Sequence, residues 1–504
     1  MTSTISSQDA QDADRELARA VNSAEALRSA TTLIPPLPEI DPSARPHFRF
    51  RLSQRVAADL FALTDLMSIA ASAAVVMWFA EQRGLASAAR AHDLLLIAPP
   101  VAVIAVLAFT AAGLHQMQTL MHVARQASRL LVVWALVAIA VGIGLSAFYS
   151  GPLLVFLAWL CLTPAALLAS RMLLTLFYLV LLKRGPMARR VALIGASPSL
   201  QSAAELVTKD RLMRLVATFE LPTELNVLTL PRSISDLMDS LGSAGFDDVI
   251  VLVPSTAEHG LDALIDHLAM LPLRIALLPV VALQTLDEVR PGDCDALSVT
   301  VAEKPVRGWS IIFKAVFDYV TALAMLALFA IPMLVIAIAI KLESPGPVIF
   351  KQQRTGLGGR VFRIWKFRSM HVLEDGSAIS QATRKDERVT RVGRIIRRLS
   401  LDELPQIFNV LSGDMSVIGP RPHARAHDAY YARLIADYRL RFRVKPGISG
   451  WAQIHGCRGE TRTIDDMARR VSYDIQYAVG YSFWRDVYVV LMTPFFGILS
   501  SNSY

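Results

Sequence analysis

Long apolar stretches, not alternating ones, dominate the first third of the chain. Residues 56–80, 94–114, 130–148 and 153–182 are almost wholly apolar, broken by Asp59 and Asp65 in the first and Arg171 in the fourth. Each reaches or approaches the roughly 20 residues a helix needs to cross hydrocarbon, so four membrane helices are predicted. Positive flanks orient them. Arg45, Arg49, Arg51 and Arg55 precede the first, Arg125 and Arg129 lie between the second and third, and Lys183, Arg184, Arg189 and Arg190 follow the fourth, whereas residues 149–151 carry no charge. Both ends of the block are therefore expected in the cytoplasm. Arg83 and Arg90, accompanied by Glu81 and Asp93, would lie outside.

After Arg190 the period changes. Residues 191–194, 249–253 and 275–278 read as short buried strands, with helical patterns such as 200–207 between them. This is βαβ alternation. Gly195-Ala196-Ser197-Pro198 follows the first strand, where a dinucleotide-binding fold carries its glycine fingerprint, but the second and third glycines are missing. The module is thus read as Rossmann-like but degenerate, serving packing or regulation and not nucleotide binding.

A fifth apolar stretch, 311–340, holds Lys314 and Asp318 early and then 22 uncharged residues from Tyr319 to Ile340, with Pro332 near the middle. It is long enough to span. Its flanks argue against spanning, because Arg307 and Lys314 at one end and Lys341, Lys351, Arg354 and Arg360 at the other all favour the cytoplasm. Proline removes a backbone donor and clashes with the preceding turn. A re-entrant helix hairpin over 311–343, bent at Ile331-Pro332, satisfies both facts; a kinked fifth spanning helix is the competing reading.

Composition agrees with membrane burial: AVILMFWYC residues make up 53% and DEKR only 19% of the 504 residues, against about 25% charged in soluble domains. A wholly soluble enzyme is excluded. Cys161, Cys294 and Cys457 are too scattered for a disulfide framework or a zinc site. Residues 1–50, rich in Ala, Ser, charged residues and then Pro, read as a disordered tail without a signal peptide. The net charge of +8 suits phosphate-bearing partners.

That charge is concentrated. Residues 351–400 hold 13 Lys or Arg against 4 Asp or Glu, beside the last apolar stretch. A basic face on anionic lipid is the plain explanation. Aromatics at Phe350, Phe362, Trp365 and Phe367 interleave with the charges, but the patch adjoins a membrane element and contains no nucleic-acid module, so nucleic acid is not expected. Directly after Arg394, Arg397 and Arg398 comes Ser400-Leu401-Asp402-Glu403-Leu404-Pro405-Gln406. Ser400 and Glu403 have capping-box spacing, yet Pro405 fits better at a helix's first turn, which would put both carboxylates at a helix entrance. Carboxylates among arginines can hold Mg²⁺ or attack phosphorus while the arginines neutralise phosphate oxygens. Phosphoryl transfer is allowed by this chemistry; the substrate is not named by it.

Residues 304–504 resemble the catalytic domain of bacterial monotopic phosphoglycosyl transferases, which move a sugar 1-phosphate onto a polyprenyl phosphate. The likeness runs through Ser344 to Pro347, Trp365-Lys366-Phe367-Arg368-Ser369-Met370, Ser400 to Gln406, Asn409-Val410-Leu411, Gly413-Asp414-Met415-Ser416, Gly419-Pro420-Arg421-Pro422, Lys445-Pro446-Gly447-Ile448, Gly450-Trp451-Ala452-Gln453 and Tyr473-Asp474. Residues 51–303 resemble the remainder of the large members. The implied architecture is an α plus α/β membrane protein: tail 1–50, four transmembrane helices in 51–185, Rossmann-like module in 186–303, and a mainly α-helical catalytic domain with its re-entrant helix in 304–504.

The resemblance implies Asp402 as nucleophile, Glu403 as its partner, both as ligands of Mg²⁺, and Lys366, Arg368, Arg397, Arg421 and Asp474 as substrate or phosphate ligands. It implies attack on a UDP-sugar, loss of UMP, and transfer to undecaprenyl phosphate at the cytoplasmic face of the bacterial inner membrane. Partners expected with it are membrane lipids, a second copy of the chain in a homodimer, and downstream polysaccharide glycosyltransferases. The stretch Gly456-Cys457-Arg458-Gly459-Glu460-Thr461 most resembles the glucose subgroup, with galactose next. Two departures are visible: Ile331-Pro332 replaces Ser-Pro at the bend, and His455 stands where Asn is usual, read as a tolerated replacement. A non-enzymatic scaffold or sensor is the competing class, weakened by the intact Asp402-Glu403 pair. A flippase is weakened by the lack of a repeat in the spans.

Overall fold

The computed structural model describes residues 54–499 apart from 86–87, 121–122, 146–151, 184–187, 211, 221–245, 255–260, 270, 285–292, 372–387, 436, 458, 460 and 462. The tail expected over 1–50 lies outside the described residues.

The four apolar stretches form helices α1 (Gln54–Gln82), α2 (Ala88–Ala111), α3 (Val123–Leu145) and α4 (Leu153–Lys183). They share a core of small and aromatic side chains including Ile69, Ala98, Ala105, Phe109, Trp134 and Trp159. Their outer faces expose Leu96, Ile143 and Leu173 at about 70% or more, as lipid-facing residues should. Of the charges noted inside the spans, Asp65 and Arg171 are paired with each other, and Asp59 accepts from the Trp309 indole N–H at 2.8 Å. Arg171 donates to both oxygens of buried Asp65, through Nε at 2.8 Å and through Nη2, and His115 Nε2 lies 2.9 Å from the same carboxylate. Isolated, either charge would be expensive inside a bilayer; together they lock α1 to α4.

The next unit is a five-stranded sheet: β1 (Arg189–Gly195), helix α5 (Ser197–Lys209), β2 (Met213–Glu220), β3 (Asp248–Val253), α6 (Leu261–Ala269), β4 (Arg274–Pro279) and β5 (Val299–Ala302). Strand order is β2-β1-β3-β4-β5, with the first four parallel and β5 antiparallel to β4. The three strands expected from pattern are present. β2 and β5 were not legible, because β2 has Arg214 and Glu220 at its ends and half-buried positions throughout, and β5 is a four-residue edge strand. Gly195 closes β1 where a Cβ would come within 2.7 Å of Leu252 on β3. Its role here is close packing of the sheet.

The fifth stretch is one helix, α7 (Trp309–Glu343). Helical backbone continues through Pro332, where the sequence predicted a break. Both ends hold the same body. Near the start, Lys314 bonds Asp486 at 2.9 Å and the carbonyl of Ile418 at 3.0 Å, and Asp318 accepts from Ser416 Oγ at 2.8 Å. At the end, Glu343 accepts from the backbone N–H groups of Arg391, at 2.7 Å, and of Val392, and caps the next helix. Ala322, Met333, Ile336 and Ile340 join one core with Ile364, Ile407, Val410 and Ile418, while Leu328 and Ile331 are more than 70% exposed.

Around that core lie the antiparallel hairpin β6 (Ile349–Thr355) and β7 (Val361–Phe367), α8 (Arg391–Arg398), α9 (Gln406–Leu411), β8 (Ser416–Ile418), α10 (Arg425–Leu434), β9 (Gly447–Ser449), parallel to β8, then α11 (Ile464–Val479) and α12 (Phe483–Leu499). The part expected to be mainly helical therefore also contains two small sheets. The missed hairpin lies in the basic region, where charged outward positions dilute the alternation. Among the described residues five helices, α1 to α4 and α7, are long and apolar enough to cross a membrane.

Candidate active site

Asp402 and Glu403 lie on a single 3-10 turn, Leu401–Glu403, between α8 and α9. Ser400 enters it in the left-handed region at φ 55°, and its side chain does not cap this turn. The capping box allowed by the spacing is therefore not formed. A non-glycine residue with positive φ costs of order 1 kcal/mol or more and marks a constrained turn. Pro405 stands immediately before α9 as its cap. The carboxylates sit at a helix entrance, as its position suggested.

Glu403 is clamped. Lys366 Nζ donates to Oε1 at 2.8 Å, while Arg421 donates from Nη1 to Oε2 at 2.9 Å and from Nη2 to Oε1 at 2.5 Å. The second pairing is a bidentate fork, the stronger and more directional kind of charge-assisted bond. Burial opposes ionisation of Glu403, yet the Arg421 and Lys366 charges hold its carboxyl well below the usual range. Asp402 is half-buried, and no hydrogen bond to its carboxylate is found among the described residues. Burial first, and then the adjacent Glu403 charge, push its pKa up to about 6, against the pull of Lys366, Arg397 and Arg421. One carboxylate is clamped and held in its charged form, while its neighbour lies in the field of three cations without a hydrogen bond among the described residues.

Local structure explains that placement. Asn409 on α9 donates from Nδ2 to the carbonyl of Arg363 at 2.8 Å and accepts from the N–H of Trp365 at 2.9 Å, fixing β7 so that Lys366 reaches Glu403. Arg421 leaves a loop pressed against β9. A Cβ on Gly447 would meet Gly419 N at 2.1 Å and one on Gly450 would meet Gly419 O at 2.3 Å. The glycines of Gly419-Pro420-Arg421-Pro422, Lys445-Pro446-Gly447 and Gly450-Trp451 thus permit backbone contact, and the chain between them presents Arg421.

Of the five predicted ligands, Lys366, Arg421 and Arg397 gather around the dyad. Arg397, on the last turn of α8, is half-buried and acts on Asp402 through its charge. The structure places Arg368 elsewhere: its buried guanidinium donates to the carbonyls of Pro345 and Ser344 at 2.6 and 2.7 Å and to Ser344 Oγ at 2.9 Å, tying down the chain after α7. Asp474 is buried and accepts from Arg441 Nη2 at 2.9 Å; among the described residues it makes no hydrogen bond to the dyad. His455 is exposed; its ring stacks on Tyr473 with centroids 4.8 Å apart and lies 4.3 Å from the Trp451 ring. Residues given no role from sequence are Asn409, Tyr438 and Arg441; Asn409 is marked by its polar side chain inside an apolar run, whereas Tyr438 and Arg441 lie in a charged stretch, 437–443, that gives no such signal.

Residues 309–500 match the family described as bacterial sugar transferase. A relative from Escherichia coli, a UDP-glucose:undecaprenyl-phosphate glucose-1-phosphate transferase, is 36% identical over 368 residues, 72% of this chain and 79% of its own length. This chain belongs to the bacterial sugar transferase family. A protein of the same description from Caulobacter vibrioides is 52% identical over 191 residues, 38% of this transferase and 72% of that protein. An Aeromonas hydrophila UDP-N-acetylgalactosamine-undecaprenyl-phosphate N-acetylgalactosaminephosphotransferase is 48% identical over 181 residues, 36% of this chain and 42% of its own. Residues 110–279 match a family described as a CoA-binding domain, a span that takes in α3 and α4 as well as β1 to β4. With five long apolar helices, the transferase is a membrane protein.

Proposed function

We propose that this transferase moves glucose 1-phosphate from UDP-glucose to undecaprenyl phosphate and releases UMP, the first membrane step of exopolysaccharide assembly. The observation that carries the reading is the division of labour within the dyad. Glu403 is held by three charge-assisted bonds, leaving Asp402 as the unencumbered nucleophile beside Lys366, Arg397 and Arg421.

An Asp402 carboxylate oxygen attacks the sugar-bearing phosphorus, and the bond to the bridging oxygen breaks with its electron pair leaving on UMP. An undecaprenyl phosphate oxygen then attacks the aspartyl phosphosugar, expelling the Asp402 carboxylate and forming the diphosphate-linked product. Lys366, Arg397 and Arg421 neutralise charge on the phosphoryl oxygens in both steps. Downstream glycosyltransferases would extend this product. The glucose preference rests on the named relatives, with galactose as the second choice.

The dyad fits Mg²⁺. Asp402 has oxygens that accept no hydrogen bond among the described residues, burial and then the like charge on Glu403 raise its pKa, and this cation is usually held by one or two carboxylates plus substrate phosphate. When bound through Asp402 and Glu403 it would supply further neutralisation of the diphosphate.

The membrane arrangement follows the same reading: α1 to α4 as a transmembrane block, the sheet of β1 to β5 as a cytoplasmic Rossmann-like module, and α7 as a re-entrant hairpin at the inner membrane. In this reading the helix bends at Pro332 without the expected break; support comes from the attachment of both ends of α7 to one folded body and from the exposure of Leu328 and Ile331 at its middle. The active site then faces the cytoplasm, where the nucleotide sugar is.

Membranes given UDP-glucose labelled in the sugar, without lipid acceptor, should release UMP and retain label on a peptide containing Asp402. Release of UDP in place of UMP would refute phosphosugar transfer. UMP release without any protein-bound label would assign the attack directly to the lipid phosphate.

A further inference from the structure

Arg421 is held from behind as firmly as it holds Glu403. The Arg441 side chain, only 2% exposed, lies in the 3-10 segment Tyr438–Arg443. Its Nη2 donates to the backbone carbonyl of Arg421 at 2.6 Å and to Asp474 at 2.9 Å. Its Nη1 donates to Tyr438 Oη at 2.9 Å and to His423 Nδ1 at 2.6 Å. Tyr438 in turn donates to Asp428 at 2.7 Å. Five side chains are buried in this network, and the Arg421 carbonyl links it to the residue that clamps Glu403.

We propose that Arg441 is a positioning residue for catalysis, holding the Arg421 main chain so that the Arg421 guanidinium meets Glu403, with Asp474 orienting Arg441. The inference rests on the transferase reading of the dyad. Its physical ground is geometric: a buried guanidinium can donate to an acid and a carbonyl at once because its donors are fixed in one plane, whereas an ammonium cannot reproduce that fork. Pro420 and Pro422 flank Arg421 and restrict the backbone on either side. The carbonyl bond adds a restraint at Arg421 itself to those that β9 places on Gly419 and Pro420. This gives Asp474 a task without substrate contact, and gives Tyr438 and His423 the task of seating Arg441.

The test is a double-mutant cycle in nanodisc-embedded full chain. Arg441→Lys should lower the rate of UMP release from UDP-glucose by about tenfold to a hundredfold, the scale of a misplacement near 1 Å. In an Arg421→Lys background the same change should cost less than about threefold, because the side chain through which it acts is already altered. Where Arg421→Lys turnover falls below detection, the cycle is read on affinity for UDP-glucose. Equal losses in both backgrounds would reduce Arg441 to a general stabiliser and overturn the proposal. Tyr438→Phe, which removes one oxygen, serves if Arg441→Lys does not fold, with the same pattern at smaller size. Hydrogen exchange gives a reading independent of the reaction. Faster exchange in Arg441→Lys should be confined to residues 419–424 and 400–405, and uniform acceleration across the chain would also overturn it. A wild type that releases no UMP refutes the transferase reading alone, since the exchange pattern still decides the positioning.

Discussion

Substituting Gly447 by alanine tests whether close backbone packing between β8 and β9 sets the active site. The new Cβ would lie 2.1 Å from Gly419 N, 2.4 Å from Ser449 O and 2.7 Å from Gly419 Cα. None of these is the movable end of a side chain. Reaching an ordinary separation of about 3.4 Å or more requires the loop to retreat by roughly 1 Å. The bonds at stake are Gly447 N to Pro420 O and Gly419 N to Ser449 O, both 2.9 Å. At about 1 kcal/mol each for a net hydrogen bond, with overpacking of about 1 to 3 kcal/mol added, the loss is about 3 to 5 kcal/mol. Arg421 is two residues from Gly419, so a shift of this size moves the guanidinium out of register with Glu403. A rate loss of about a hundredfold follows. UMP release and the thermal midpoint in nanodiscs are the measurements, with Gly144→Ala as control, since a Cβ there meets nothing within 4 Å. Wild-type turnover in Gly447→Ala would refute the claim that this contact positions Arg421.

Asp402→Asn should abolish UMP release and leave no label on the Asp402 peptide, as checked by single-turnover chromatography and mass spectrometry. Because Asp402 is raised to about 6 and attacks as the anion, UMP release measured without added metal should fall about tenfold per unit below pH 6. Lys366→Met, which removes a charge that lowers that pKa, should move the limb to higher pH, and movement the other way would contradict the arrangement. Arg368→Met should lower the thermal midpoint while leaving KM for UDP-glucose within about twofold, because its partners are Ser344 and Pro345; a large rise in KM would return Arg368 to the substrate. Asp65→Asn strands the Arg171 charge in the membrane block and should cost about 3 to 5 kcal/mol by thermal unfolding, with much of it recovered in Asp65→Asn, Arg171→Leu.

What the sequence determined by itself was what is local. Apolar length marks α1 to α4 and α7, because covering hydrocarbon needs only consecutive residues. Apolar strand patterns mark β1, β3 and β4, which are buried on both faces. The adjacency of Asp402 and Glu403 needs no folding to be seen, and neither does the charge surplus around them. Tertiary structure alone decided which cations serve the dyad. Lys366 and Arg368 are two residues apart in and just after β7, yet one reaches Glu403 and the other turns to the end of α7, because hairpin pairing and the Asn409 clamp set where each can reach. It also decided that Asp474, which the resemblance implies as a substrate ligand, is buried against the Arg441 guanidinium. The edge strands β2 and β5 and the β6–β7 hairpin were hidden for a related reason. Half-exposed strands carry polar residues whose meaning depends on what covers the other face, and that is settled only when distant segments pack.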